Sequence, residues 1–217
     1  SEAAEGTLVI TNEQTRGRGQ RGNSWEAEPG KNLTFSLVLR PTFLPVKNQF
    51  YLNIITSLAI VDFLRRYSVT AEVKWPNDVM VNSRKICGIL IENQVRGNHF
   101  DHVVVGVGLN INQENFSAGK PTSLKLETGK MHDLSDCLEE LLKNLEVRYL
   151  QLREEKWGAL KEAYIRAMFW FQEQRTFAAG EETFEGMIAG IDEAGKLVVQ
   201  HGNRLRAFDL KEISFLN

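Results

Sequence analysis

The chain has only two cysteines in 217 residues, Cys87 and Cys137, and neither stands in a CxxC pair. A disulfide-stapled scaffold is therefore excluded, and no zinc-ligand pattern is present. No apolar run approaches the roughly 18 residues of a membrane-spanning helix. The first six residues have neither the basic segment nor the apolar stretch of a secretion signal. An excess of one charge is also missing: 26 Lys+Arg face 28 Asp+Glu, a net charge of −2. Long-range attraction to nucleic acid or anionic lipid should accordingly be weak. Repeats and low-complexity tracts are absent. What is present is an ordinary globular composition, 42% hydrophobic and 25% charged, enough for one sizeable core with a small satellite. The expectation is a cytoplasmic protein with reduced thiols, no membrane contact and no nucleic-acid partner.

Hydrophobic periodicity divides the chain. Residues 7–11 read as a strand, and residues 12–31, rich in Gly and Arg, as a long loop of the kind that is often functional. Leu33, Phe35, Leu37 and Leu39 alternate as in a strand. From residue 46 to 67, Phe50, Ile54, Leu58, Val61 and Leu64 recur at helical spacing, predicting an amphipathic helix. Residues 72–111 read as successive strands joined by turns at 76–78 and 82–84. The last pair, 86–95 and 102–111, forms a hairpin. Residues 112–130 look irregular. Asp133 or Ser135 can cap a long helix with the stripe Leu138, Leu141, Leu142, Leu145, Tyr149 and Leu152, read as core contact. A second helical pattern runs from 157 to about 171. Residues 172–217 then change character: Gly-centred turns separate short strands at 183–189, 197–200 and 205–208, the pattern of a small barrel-like module. Two units, 1–171 and 172–217, are expected.

Four short segments could carry chemistry. The first, Gln14-Thr-Arg-Gly-Arg-Gly-Gln-Arg-Gly-Asn-Ser-Trp25, combines glycines that let backbone N–H groups approach a ligand with arginines suited to carboxylate or phosphate. A solvated Arg-Gly segment is its plain alternative. In Lys74-Trp-Pro-Asn-Asp78, a cation, an aromatic ring and a carboxylate meet at a strand end, a pattern equally suited to a simple β-turn. Lys85, in Arg84-Lys-Ile-Cys-Gly-Ile-Leu90, enters a buried strand from a polar turn; it could reach over a cleft floor or merely mark an edge. Gly106-Val-Gly-Leu-Asn110 permits close approach but is not GxGxxG, and no crossover helix follows, which disfavours a dinucleotide site. His99 and His102 show HxxH spacing without a clear third ligand, so metal binding there is not expected. His132 and His201 read as surface residues, and Cys87 as a small core residue rather than a nucleophile.

Together and in this order, the four segments resemble the biotin protein ligases. The residues carrying the likeness are Gln14, Gly17, Arg18, Gly19, Gly22 and Trp25; Lys74 to Asp78; Arg84, Lys85 and Gly88 to Leu90; and Gly106, Gly108 and Asn110. Pro121-Thr-Ser-Leu124 and the Gly-rich C-terminal module are also similar, so the likeness runs from about Glu5 to the end. It implies an α+β fold of the biotin/lipoate ligase and class II synthetase type: a mixed β-sheet with helices on one side, plus a small C-terminal SH3-like β-barrel. It implies an ATP-dependent ligase, in which biotin and MgATP give biotinyl-5′-AMP and pyrophosphate before the acyl group passes to a lysine of a biotin carboxyl carrier domain. A homodimer through sheet edges would suit the family. Two rival readings remain, a lipoate- or octanoate-type ligase and a biotin-binding module without catalysis.

Adenylation joins two anions, so cations must offset their repulsion. The resemblance assigns that role to Lys85 and Arg18, with Asp78 orienting or deprotonating the incoming lysine, or else holding the loop. Biotin would lie along Gln14, Gly17, Arg18, Gly19, Gln20, Lys85, Gly88, Gly106 and Gly108. ATP would meet Arg18, Trp25, Asn77, Lys85 and Asn110, with Asn110 also serving the Mg²⁺ shell. Two departures stand out. Gln20 replaces an arginine usual in the family, so weaker retention of the adenylate is expected. Ser1 stands only 13 residues before Gln14, and Thr11-Asn12 lies too late to be the family's upstream Ser-Thr-Asn motif; a protein lacking that segment is expected to bind biotin more weakly and to leave one sheet edge open. With no room for a helix-turn-helix, no operator-DNA binding is expected.

Overall fold

In the computed structural model, residues 3–14, 16–20, 25–117, 119 and 121–216 are described; Gly22 of the glycine–arginine segment lies outside them. Six strands, β1 (Leu8–Ile10), β2 (Leu33–Leu39), β3 (Glu72–Lys74), β4 (Asp78–Val81), β5 (Arg84–Arg96) and β6 (His99–Leu109), form one sheet in the order β1-β2-β6-β5-β4-β3. Every neighbouring pair is antiparallel. The parallel component expected of a mixed sheet reduces, beside this sheet, to an isolated bridge between Val73 and Met168.

The sheet is two-faced because its strands alternate. One face presents Leu33 and Phe35, Cys87 and Ile89, and Val103, Val105, Val107 and Leu109, all buried. Helix α1 (Phe50–Arg66) lies across β3, β4 and β5 on one side and against α3 (Leu134–Arg153) and α4 (Trp157–Arg166) on the other. It is consequently buried around most of its girth, Leu52, Ile55, Ala59 and Phe63 included, rather than along the single stripe its spacing suggested. In α3, Asp133 is the cap, its carboxylate accepting from Ser135 N and Asp136 N; Leu141, Leu145 and Leu152 are buried, with Leu138, Leu142 and Tyr149 packed at the core's margin.

Other differences from the sequence reading have local causes. Residues 112–130 contain a short helix, α2 (Leu124–Thr128), capped by the Ser123 hydroxyl and ended by Gly129 at φ +72°. Helix α4 stops at Arg166 because the following chain bonds β3: Val73 N donates to Ala167 O and Phe169 N donates to Val73 O. His132 is half-buried, hydrogen-bonded to Thr128 Oγ1 at 2.8 Å and edge-on to Tyr67, and so is not simply a surface residue. His102 pairs with Asp101, and among the described residues no group of three His, Cys, Asp or Glu is placed to hold a metal.

The C-terminal segment forms five antiparallel strands in the order β10-β9-β8-β7-β11: β7 (Gln174–Ala179), β8 (Glu182–Ile191), β9 (Leu197–His201), β10 (Arg204–Phe208) and β11 (Ser214–Leu216). Two of them, β7 and β11, escaped the sequence reading. This small sheet is compatible with an SH3-like form, although no pairing joins β10 to β11 among the described residues. Its core residues Phe177, Ile188 and Val199 are continuous with the main core. Trp75 Nε1 donates to Gly195 O at 2.9 Å, and Gly195 presses so closely on Phe50 that a Cβ would lie 2.1 Å from the ring.

Candidate active site

The sheet face opposite α1 carries small and polar residues, and a cleft of ≈ 580 Å³ opens over it. Strand register explains the floor. Thr34, Gly108, Gly88, Asp78 and Lys74 stand opposite one another in a row across β2, β6, β5, β4 and β3; Ser36, Gly106 and Leu90 form the next row. Of these, all but Lys74 line the cleft. Glycines in adjacent strands leave a trough in the sheet. Half of it is covered: the Trp25 ring lies so near that a Cβ at Gly108 would be 2.3 Å from its Cε2, and one at Gly88 3.2 Å from its Cζ3. Over Gly106 no side chain of the loop's described residues comes within 4 Å of that position.

Lys85 and Gly88 share this cleft, although residues three apart on a regular strand point to opposite faces. A bulge resolves this. Val79 pairs with Cys87, but the next residue, Met80, pairs with Lys85, leaving Ile86 unopposed. The extra residue turns Lys85 onto the cleft face. There its Nζ lies 2.6 Å from Asp78 Oδ1 and 5.6 Å from the centre of the Trp25 ring. Beside it, burial holds the Lys74 ammonium below the usual lysine range, while Asp78 pulls the other way; Lys74 also lies over the Phe215 ring at 5.1 Å.

Eleven of the thirteen residues assigned to biotin, ATP or catalysis from the sequence line this one cleft: Gln14, Arg18, Gly19, Gln20, Trp25, Asn77, Asp78, Lys85, Gly88, Gly106 and Gly108. Two do not. Gly17 sits behind the wall, its carbonyl accepting from Trp25 N at 3.0 Å; a Cβ there would meet Trp25 O at 2.2 Å, so close packing of the loop requires glycine. Asn110, 2% exposed, is also outside the lining. Its Nδ2 donates to Thr122 O at 3.0 Å, while its buried Oδ1 has no hydrogen-bond partner among the described residues. Asn77 lines the cleft while its Nδ2 donates to Ile89 O at 2.6 Å, which stiffens the turn before Asp78. Cys87 is fully buried and burial pushes its thiol up, in keeping with a core residue.

Several lining residues went unnoticed in the sequence. Val9 and Thr11 come from β1 and its end, and Glu92 from β5. The opposite rim is supplied by Leu210, Lys211, Ile213 and Phe215 of the C-terminal segment. Lys211 holds φ at +72°, an uncommon conformation for a side-chain-bearing residue and one that is often found at functional sites.

Comparison with known proteins gives a consistent picture. The family model described as "Biotin/lipoate A/B protein ligase family" matches residues 1–110. The chain is 30% identical over 207 residues to the bifunctional ligase/repressor BirA of Bacillus spizizenii, covering 91% of the chain but 62% of that relative. It is also 30% identical to the biotin--[acetyl-CoA-carboxylase] ligase of Paracoccus denitrificans, with 88% and 83% covered. The structure resembles a biotin protein ligase from Aquifex aeolicus in complex with biotin and ATP, with TM-score 0.84, 26% identity, and 99% and 90% of the two chains covered. The chain thus spans 62% of the length of the Bacillus relatives it matches.

Proposed function

The chain belongs to the biotin/lipoate A/B protein ligase family, and on that premise we propose that it activates biotin with ATP to biotinyl-5′-AMP and transfers the biotinyl group to a lysine of a biotin carboxyl carrier domain. The observation that carries this reading is the meeting of Arg18, Lys85 and Asp78 in one cleft over a glycine trough. Biotin, with its flat bicyclic head, would lie in the open part of the trough along Gly106, against the Trp25 ring that covers Gly108. Arg18, Gly19, Gln20 and Gln14 would close over it and Trp25 would form the wall towards the adenine. Closure would exclude water from a mixed anhydride prone to hydrolysis.

In the first half-reaction a biotin carboxylate oxygen attacks the α-phosphorus, and the bond to the pyrophosphate leaving group breaks. Lys85 would leave Asp78 and place its charge between the two anions, with Arg18 beside it; stabilisation of developing charge by fixed donors is the largest contribution such a site can make. Asp78, released from Lys85, would then accept the proton of the incoming lysine ammonium so that its neutral amine attacks the acyl carbon and AMP leaves. The nucleotide would arrive as MgATP. Hard Mg²⁺ usually keeps several waters and takes few protein ligands, and Asn110, whose buried Oδ1 is unpartnered among the described residues, is the residue that would serve its shell.

We further treat residues 1–171 as the catalytic unit and 172–217 as a module that completes the rim. The edge strand β1, where Val9 and Ile10 are exposed, is the surface we assign to a homodimer. Biotin-dependent exchange of label between ATP and pyrophosphate, followed by transfer to a carrier domain with and without ATP, tests the activity. Offering lipoate in place of biotin separates the two branches of the family, and absence of exchange with either would defeat the reading.

A further inference from the structure

A bulge leaves backbone groups without ladder partners, and a buried group must find one elsewhere. Behind Lys85 the chain after β6 supplies them: Lys85 O accepts from Thr122 N at 2.9 Å and Ile86 O from Asn110 N at 2.9 Å. These two donors are tied to each other by Asn110 Nδ2 and Thr122 O, and both residues are buried. A single carboxylate closes the arrangement. Glu127 of α2, its side chain only 8% exposed, pairs with Arg84 Nη2 at 2.7 Å. It also accepts from Asn82 Nδ2 at 3.0 Å and from the Thr122 hydroxyl. One acidic side chain therefore gathers the turn before β5, the residue preceding Lys85 and the strand-like segment that receives the Lys85 carbonyl. None of these groups lines the cleft.

Resting on the ligase reading above, we propose that Glu127 is a positioning residue for adenylation: through Arg84 and Thr122 it holds the bulge that aims Lys85 at the reacting carboxylate and phosphate. Charge-assisted pairing to a nearly enclosed carboxylate, with an Arg84 side chain that is 40% exposed, makes such a contact stiff, and outer contacts that orient a reacting group commonly change rates by about 10-fold to 100-fold when removed.

The test measures biotin-dependent ATP–pyrophosphate exchange by Glu127→Gln, made both in the native chain and in Lys85→Ala. In the native background kcat should fall about 10-fold, with KM for biotin and ATP held within about twofold. In the Lys85→Ala background the same change should cost nothing further, because the side chain being aimed is gone. A merely structural role would lower both backgrounds alike, and that equality would overturn the proposal, as would an unchanged kcat in the native background. Arg84→Gln and Thr122→Val, the latter removing one hydroxyl, follow the same pattern and provide the readout if Glu127→Gln folds poorly. Wild-type exchange is measured first: its absence would count against the ligase reading, whereas exchange that survives these substitutions would remove only the positioning role.

Discussion

The two walls of the cleft are built by different rules. On the sheet wall, Gly88, Gly106, Gly108, Asp78 and Lys85 are placed by strand register and one bulge. On the C-terminal wall, Leu210, Lys211, Ile213 and Phe215 arrive from the far end of the chain; their position depends on contacts such as Trp75 with Gly195 and Lys74 with Phe215. The first wall carries the groups assigned to chemistry, and the second closes the site and adds charge at its rim. Changes on the sheet wall should therefore strike the chemical step, and changes on the rim should strike ligand retention.

Lys85→Ala should give the largest effect, slowing biotin-dependent exchange by about 100-fold to 1,000-fold while ATP binding, followed by calorimetry, weakens about twofold. An exchange rate near that of the native protein would erase the distinction between the walls. Gly108→Val comes next. Even the first carbon of the new side chain would fall 2.3 Å from the Trp25 ring, so biotin affinity should drop about 10-fold or more, the equivalent of roughly 1.4 kcal/mol. On the rim, Lys211→Ala should raise KM for ATP about fivefold, the scale of one partly exposed charge, with kcat and biotin affinity unaffected. Gln20→Arg should have the smallest effect and the opposite sign: release of biotinyl-adenylate slows about threefold, because a full charge replaces an amide in the loop.

The same contrast decides what could be read from the sequence. Alternation along β2 and β6 and the Gly/Arg segment were visible because strand faces and glycine-dependent approach are local properties. The likeness to a family brought Gln14, Asp78 and Lys85 together before their geometry was known. The bulge was not visible: Arg84-Lys-Ile-Cys-Gly carries no local mark that Ile86 would go unpaired, since the register depends on the partner strand. The ties of Asn110 to Thr122 and Ile86 were not visible for a related reason, because they depend on segments that meet it only in the fold. Helix α2 is only five residues long, too short for periodicity to reveal, and strands β7 and β11 pair across nearly forty positions of sequence. Lys211 had no signal at all beyond its charge.

Catalysis at this site depends on where the Lys85 ammonium goes when substrates arrive. Crystals soaked with biotin and a non-hydrolysable ATP analogue would measure this directly. The prediction is that Lys85 Nζ leaves Asp78 and comes to about 3 Å from both the biotin carboxylate and an α-phosphate oxygen. An ammonium still paired with Asp78, with both ligands bound out of its reach, would contradict it.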